Sequence, residues 1–322
     1  MLEITSILWY NLHNDDCVKT DLKNLLKGEC KMENRVKKDV RLNVQKVKES
    51  RTERIVRLID VLTGSKYSRN FMKPPIPNGF IYYYGEWYNG FTIGQKITGN
   101  LFTWVPVGVL KNNGTLDGQN FNEKFGRRSF KNETFSDATF CEAMEVNQIA
   151  SVKKYGGFYV STYSISNGEN GKPASVKGRT PLMLDYENAV AAARLMIETD
   201  EVSSHILYGA EYDTILEWII ESGAQTKEDV VEDSSVWGNY HREGWIDEIT
   251  PTGSLDNWST AGIYDLAGNT EEWTREKYEG YPVFRGGNAY ELGSDYPAVH
   301  RESALDFYVK DDVGFHVSLY IK

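Results

Sequence analysis

The last quarter of the chain carries three blocks, rich in glycine and aromatic residues, that constrain its fold more than any other feature. They read GIYDLAGNTEEW at 262–273, FRGGN at 284–288 and VGFHV at 313–317. Gly286 and Gly287 permit positive φ and close backbone approach, because glycine has no Cβ. Arg285 carries a fork of donors that can satisfy several carbonyl groups or a carboxylate.

These blocks, in this order and at this spacing, resemble the formylglycine-generating-enzyme (sulfatase-modifying factor) family. Three earlier segments resemble it too: FYV at 158–160, PLMLDYENA at 181–189 and YGAEYD at 208–213. The resemblance runs from the aromatic segment before residue 90 to Lys322. It implies an α+β, C-type-lectin-like fold, in which two helices pack against a small twisted antiparallel sheet with much ordered loop. Such loops need anchors other than strand hydrogen bonds.

The resemblance also implies a calcium-binding loop at 265–272. By position, Asp265 and Glu272 would contribute carboxylate oxygens, and Gly268 and Thr270 would contribute backbone carbonyls. Calcium prefers this mixture of oxygens, so we expect calcium as a structural ligand. The alternative is that Glu272 accepts backbone hydrogen bonds in a loop without metal. The family's second calcium site has no clear counterpart in this sequence.

The chain departs from the family at the positions of the residues that carry out the family's chemistry. The oxidising enzymes bind copper through two cysteines that follow the Gly-Gly block, whereas residues 142–322 contain no cysteine. A soft redox-active metal needs thiolates or imidazoles, and His300 is the one such residue at 289–304. His316 stands where the family closes with glycine, phenylalanine and arginine. We therefore predict that the protein is not an enzyme.

The segment 288–312 is dense in tyrosine, serine and acidic residues. Tyrosine supplies rigid contact area and small polar residues supply adaptable hydrogen bonds, as in antibody paratopes. The segment also resembles the variable C-terminal region of phage and bacterial proteins that retroelements diversify on the same scaffold. We predict that a ligand-binding surface is formed by Tyr290, Ser294, Asp295, Tyr296, His300, Glu302, Asp306 and Tyr308. The alternative is an ordinary set of solvated loops.

The composition changes sharply near residue 70. Residues 1–70 contain no proline and two glycines, and their apolar residues recur at helical spacing, which predicts a helical segment for oligomerisation or docking. A helix that packs on its own globular domain is the alternative. Residues 71–78 are rich in proline and predict a stiff linker. The lectin-like domain would then occupy 79–322.

Within that domain, runs of aromatic and β-branched residues predict strands at 80–84, 102–107 and 157–163. Alanine-rich and amphipathic patterns predict two helices, at 186–197 with Asp185 as N-cap and at 209–222 with Gly223 as C-cap. Residues 109–140 are polar and rich in Asn and Gly, which indicates a long loop or insertion.

Charge is unevenly spread, since residues 1–70 carry a net +5 and the whole chain −10, which leaves −15 for 71–322. An acidic body repels phosphates, so we expect no nucleic-acid partner. Cys17, Cys30 and Cys141 form neither a disulfide framework nor a zinc pattern. The N-terminus lacks the features of a signal peptide, and no apolar run reaches the roughly 20 residues of a membrane span.

Together these patterns favour a non-enzymatic binding head that contacts a host-surface glycan or protein. The helical segment would join particle subunits and form a homo-oligomer, with a trimer favoured, because several weak heads on one surface gain avidity. We expect a phage or prophage tail or virion-surface protein, present in the virion or in the bacterial cytoplasm before assembly. One alternative is a structural virion or tail component that binds other particle subunits. A second is a degenerate metal-dependent oxidase.

Overall fold

The computed structural model describes residues 73–87, 89–107, 125–244, 247–304 and 311–322, and a six-stranded antiparallel sheet is its largest element. The strands are β1 (Phe80–Glu86), β2 (Asn89–Gln95), β3 (Leu101–Pro106), β5 (Gly157–Ser161), β8 (Val202–Ile206) and β15 (Val317–Ile321). They lie in the order β1-β2-β3-β5-β15-β8. The C-terminal strand therefore lies between two strands from the middle of the chain. The three predicted strand regions coincide with β1, β3 and β5, which confirms those predictions.

A second sheet contains part of each of the three C-terminal blocks. Its strands are β4 (Phe140–Cys141), β11 (Glu271–Tyr278), β12 (Tyr281–Arg285), β13 (Arg301–Ser303) and β14 (Val313–Gly314). β11 and β12 form an antiparallel hairpin, β13 extends it beyond β12, and β14 pairs with β11 in parallel. In the β12–β13 register Arg285 lies opposite Arg301. The loop between these strands therefore leaves and re-enters the sheet at adjacent positions.

Two short ribbons complete the strands of the described residues. They pair β6 (Ser166–Asn167) with β7 (Pro173–Ala174) and β9 (Ser259–Thr260) with β10 (Ile263–Tyr264).

Four α-helices lie among the described residues: α1 (Val146–Tyr155), α2 (Tyr186–Met196), α3 (Gly209–Glu221) and α4 (Lys227–Val231). α2 and α3 confirm the two predicted helices to within one residue at each end. The Asp185 side chain caps α2 by accepting the Asn188 N–H at 2.9 Å, as predicted. Gly223 follows α3 with φ +72°. The sequence did not predict α1 or α4, which are short.

The core is built from the buried face of α3, the central strands and the long loops. Tyr212, Leu216 and Ile219 of α3 belong to one buried cluster with Val105 of β3 and Phe158 of β5. Burying a large apolar side chain contributes about 1.5–3 kcal/mol. Loop residues add the aromatic side chains of Trp237 and Tyr240 to the same cluster.

The described part of the predicted linker packs on the domain. Pro74 and Pro77 are buried, and the Tyr159 hydroxyl donates to the Pro75 carbonyl at 2.8 Å. The predicted helical segment at 1–70 lies outside the described residues, so its helix, its oligomerisation and the domain boundaries stay predictions. No helix among the described residues is long and apolar enough to cross a membrane.

Candidate ligand-binding surface

The loop 286–300, which connects β12 to β13, is held by hydrogen bonds at its start. The Asn288 side chain accepts the Tyr290 N–H at 2.9 Å and donates to Asp312 Oδ2 at 3.0 Å. A side chain that closes a tight turn in this way limits the backbone conformations of the residues it joins. The backbone beneath Tyr290 is therefore fixed by contacts that leave its ring free.

The middle of the loop is held against the segment that follows α4. The Ser234 N–H donates to the Gly293 carbonyl at 3.1 Å, and the Ser234 hydroxyl accepts the Ala298 N–H at 2.9 Å. A Cβ added at Gly293 would lie 2.6 Å from both the nitrogen and the hydroxyl of Ser235. Only glycine permits this close approach. A loop fixed in this way loses little conformational freedom when it binds a ligand.

The two ends of the loop are joined through one carboxylate on α3. Arg285 donates from Nη2 to Asp213 Oδ1 at 2.8 Å and from Nε to the His300 carbonyl at 3.1 Å. Arg301 donates from Nη2 to the other oxygen, Asp213 Oδ2. The predicted role of Arg285, to satisfy carbonyls or a carboxylate, is confirmed.

A buried ionic network extends from this pair of arginines. Glu276 Oε2 lies 3.3 Å from Arg301 Nε and 3.7 Å from Arg285 Nη1, and Glu276 Oε1 accepts a hydrogen bond from Arg127. Arg301 Nη1 also lies 2.7 Å from Glu133 Oε1. Buried charges persist when they are paired and hydrogen-bonded. The network therefore ties residues 125–142 to the base of the loop.

Glu142 sits in the same network at the N-terminus of α3. Its carboxylate accepts the N–H groups of Gly209 at 2.7 Å and Ala210 at 3.0 Å, donors that the first turn of a helix leaves without partners. Burial, with the negative charge of Glu276 adding to it, raises the pKa of Glu142 to about 7. Residues 125–140, the described part of the predicted long loop or insertion at 109–140, are held by this network through Arg127 and Glu133.

Four of the predicted binding residues are exposed: Tyr290, Ser294, Asp295 and Glu302. The Tyr290 side chain is 54% exposed, and Leu292, which the sequence did not single out, is 47% exposed beside it. Their loop is fixed while these side chains face solvent. Single exposed apolar residues are common on protein surfaces, so the exposure of Leu292 indicates a binding surface only together with that of its neighbours.

Two further predicted residues, Tyr296 and His300, are half-buried and form a group with Glu302. The Tyr296 and His300 rings meet edge to face at 4.7 Å, and His300 Nε2 lies 3.7 Å from Glu302 Oε2. Burial lowers the pKa of His300, so its ring is neutral at neutral pH. The charge of Glu291 raises the pKa of the Tyr296 hydroxyl. The predicted residues Asp306 and Tyr308 lie outside the described residues.

The loop predicted to bind calcium contains a buried, partly satisfied carboxylate. Asp265 has φ +57°, and its Oδ2 accepts the Thr252 hydroxyl at 2.5 Å and the Gly253 N–H at 2.8 Å. Its Oδ1 is buried without a hydrogen bond. Burial raises the pKa of Asp265 to about 6.

A second buried carboxylate, Glu272, has neither oxygen in a hydrogen bond. His316 Nδ1 lies 3.1 Å from Glu272 Oε1 without the geometry of a hydrogen bond. The hydroxyls of Thr270 and Ser164 are also buried without partners, and both would meet a Cβ placed at Gly314, at 2.7 and 3.1 Å. Unsatisfied buried polar atoms at this density need an explanation.

These oxygens fit calcium in kind. Calcium takes carboxylate, carbonyl and hydroxyl oxygens in a flexible geometry, and Asp265 and Glu272 offer carboxylate oxygens that no N–H or O–H occupies. Among the described residues, however, no group of three or more His, Cys, Asp and Glu side chains could hold a metal. An ion would therefore also need the carbonyls of Gly268 and Thr270. Calcium here stays a prediction. The alternative, that Glu272 accepts backbone hydrogen bonds in a loop without metal, is wrong, because neither Glu272 oxygen is in a hydrogen bond.

Comparison with known proteins agrees with the sequence resemblance. Residues 185–319 match the family model of the sulfatase-modifying factor enzyme 1-like domain. Residues 185–319 are therefore similar to a domain of the formylglycine-generating-enzyme type. In the described residues, the two larger sheets, the four α-helices and the long ordered loops form an α+β, C-type-lectin-like fold, as predicted.

Three solved structures are similar to the chain at low sequence identity. PvdO from Pseudomonas aeruginosa is 16% identical with a TM-score of 0.44, over 72% of this chain and 98% of that chain. CarF is 14% identical with a TM-score of 0.37, over 52% and 87%. Treponema denticola variable protein 1 is 12% identical with a TM-score of 0.40, over 75% and 99%. A search of curated proteins found no match.

Proposed function

We propose that the protein is a non-enzymatic ligand-binding protein, and that its binding surface is the exposed side of loop 286–300 with strand β13. One observation carries the proposal: Tyr290, Leu292, Ser294 and Asp295 project from a loop whose backbone and both ends are fixed. A pre-organised loop spends little binding free energy on ordering. Tyrosine adds large rigid contact area with a polar tip.

The chemistry of the remaining residues supports binding over catalysis. Residues 142–322 contain no cysteine to hold copper where the related oxidising enzymes do. His316 is fully buried and contacts Glu272, so it does not face a substrate. His300 packs edge to face on Tyr296. A half-buried neutral imidazole in that position suits contact with a polar ligand group.

A more detailed proposal concerns the kind of ligand and the particle that carries the protein. A tyrosine-rich surface with carboxylates suits a glycan or a protein on a host-cell surface, and a helical segment at 1–70 would multiply weak contacts by oligomerisation. A homotrimer on a phage tail or virion surface is the form we propose. Sedimentation equilibrium of the full chain would then give three times the 36.7 kDa chain mass.

The test is binding of the fluorescently labelled full chain to a panel of bacterial cells and purified wall glycans. The matched variants are Tyr290→Ala and Tyr281→Ala, since Tyr281 is 45% exposed on β12 outside the proposed surface. Loss of a central aromatic contact costs more than 1 kcal/mol at binding hot spots, so Tyr290→Ala should weaken binding about tenfold. Tyr281→Ala should leave it within about twofold.

Three outcomes would count against the proposal. Equal binding by both variants would place the contact elsewhere on the protein. Absence of selective binding across the panel, together with burial of Tyr290 against a co-purified particle subunit, would favour the structural alternative. Stoichiometric copper or iron in the purified protein would instead favour an oxidase.

A further inference from the structure

A cluster of tyrosines from three separate segments lies outside the surface around Tyr290. Tyr83 and Tyr84 come from β1, and their ring centroids are 5.5 Å apart. Tyr163 follows β5, and its ring stacks on Tyr264 of β10 at 4.9 Å with an interplanar angle of 26°. Tyr163 is buried, Tyr84 and Tyr264 are half-buried, and Tyr83 is 58% exposed. Tyr163 therefore forms the buried side of the cluster, and Tyr83 forms its exposed side.

The four hydroxyl groups influence one another, which indicates that they gather in one place. After burial, the neighbouring hydroxyls of Tyr84, Tyr264 and Tyr83 raise the pKa of Tyr163, and Asp256 adds to the effect. Burial, with the hydroxyls of Tyr264 and Tyr83 adding to it, raises the pKa of Tyr84. Tyrosine hydroxyls can both donate and accept hydrogen bonds.

A charged pair borders the rings. Lys177 Nζ lies 3.1 Å from Asp256 Oδ1 and 5.6 Å from the centroid of the Tyr264 ring. The Tyr264 hydroxyl donates to the same Asp256 oxygen at 3.4 Å. Both charged side chains face solvent, at 52% and 87% exposure. The pair thus offers a donor and an acceptor beside an aromatic platform.

Contacts with Gly253 and Thr162 hold this arrangement in place. Gly253, with φ +71°, lies so close that an added Cβ would stand 2.6 Å from Tyr163 Cε1 and 3.1 Å from Lys177 Cγ. The Tyr264 N–H donates to the Thr162 carbonyl at 2.9 Å. The rings of Tyr163 and Tyr264 are therefore positioned before any ligand arrives, which lowers the cost of binding.

We propose that Tyr83, Tyr84, Tyr264, Lys177 and Asp256 form a second binding site, and that its ligand is a neutral saccharide. A pyranose presents an apolar C–H face that packs on a tyrosine ring, and a rim of hydroxyls that matches tyrosine, ammonium and carboxylate groups. The net charge of −15 on residues 71–322 disfavours a polyanionic glycan. A protein partner is disfavoured because specific interfaces use about 20–30 residues a side, far more than this patch contains.

Affinity electrophoresis of the full chain tests the site. Native gels would contain one of three neutral polysaccharides (dextran, galactomannan or mixed-linkage β-glucan), with dextran sulfate as the anionic comparison. We expect retardation by at least one neutral polysaccharide, and an apparent association constant about tenfold lower in Tyr83→Ala and in Asp256→Ala. Tyr281→Ala should match the wild type. Circular dichroism of each variant checks that its fold is intact.

Three other results would overturn the proposal. They are no retardation by any neutral polysaccharide, retardation by dextran sulfate alone, and unchanged retardation of Tyr83→Ala. Retardation that disappears with Tyr290→Ala instead would assign the saccharide to the surface around Tyr290. The two sites are thereby separated, because the site at Tyr83 and the surface at Tyr290 share no residue.

Discussion

Replacement of Arg301 by methionine tests whether the buried network holds the binding loop in place. The Arg301 side chain is 2% exposed and pairs with three carboxylates, those of Asp213, Glu133 and Glu276. Methionine keeps an unbranched apolar stem and removes the guanidinium. The variant leaves the carboxylates facing one another with Arg285 and Arg127 as their remaining partners in the network.

The expected cost follows from the geometry. A charge pair at about 4 Å and an effective dielectric constant of about 20 gains about 4 kcal/mol, and desolvation of the buried groups offsets much of that gain. Removing one partner leaves the desolvated carboxylates uncompensated, which costs about 3–5 kcal/mol. A single domain has a free energy of unfolding of about 5–15 kcal/mol. The melting temperature should therefore fall by about 6–20 °C.

Urea unfolding, followed by circular dichroism, measures this loss against Arg194→Met, a matched control because Arg194 is exposed on α2. The control should stay within about 0.5 kcal/mol of the wild type. Adding Asp213→Asn to Arg301→Met should recover part of the loss, since it reduces the excess of negative charge in the network. A cost for Arg301→Met below about 1 kcal/mol, or strict additivity of the two changes, would refute the reasoning.

Three other predictions concern neighbouring groups. Calcium at about 100 times its dissociation constant should add about 2.7 kcal/mol to stability, reversibly with a chelator; no shift, or the same shift in Glu272→Gln, would exclude the predicted site. Because burial raises the pKa of Glu142 to about 7, its contribution is greatest below about pH 4.5 and is lost as pH rises through 7, by at most about 3 kcal/mol; Glu142→Gln should flatten that part of the pH profile, and an unchanged slope would contradict the assignment. Gly293→Ala should cost about 1–3 kcal/mol in urea unfolding, because its Cβ would lie 2.6 Å from Ser235, whereas the exposed neighbour Ser294→Ala should cost less than about 0.5 kcal/mol; equal costs would mean that the loop tolerates the Cβ.

Local patterns predicted the elements whose formation depends on local physics. α2 followed from an alanine-rich run with Asp185 before it, because the cap and the propensity act within a few residues. The strands followed from runs of aromatic and β-branched residues, which pack well on a pleated surface. Tyr290, one of the residues predicted to bind a ligand, is exposed.

Partners distant in sequence could not be predicted. Arg301 lies in the polar segment 288–312, which was predicted as surface, yet its side chain is buried because Asp213, 88 residues earlier, pairs with it. Nothing near Arg301 in the sequence reveals this pairing. The tyrosine cluster was missed for the same reason, since Tyr83, Tyr163 and Tyr264 come together only in the folded domain.

In loop 286–300, the groups that hold the backbone are different from the side chains that face solvent, which explains how such a scaffold can serve ligand recognition. The contacts that hold the loop use backbone groups, Asn288 and the two arginines at its ends, whereas the exposed side chains of Tyr290, Ser294 and Asp295 stand apart from those contacts. Surface substitutions away from structural contacts change stability by about 0.5 kcal/mol or less. The exposed positions can therefore be changed in size, charge and hydrogen-bonding character while the ionic network keeps the loop in the same conformation. In a binding surface of this kind, the residues that determine ligand specificity are different from those that stabilise the fold.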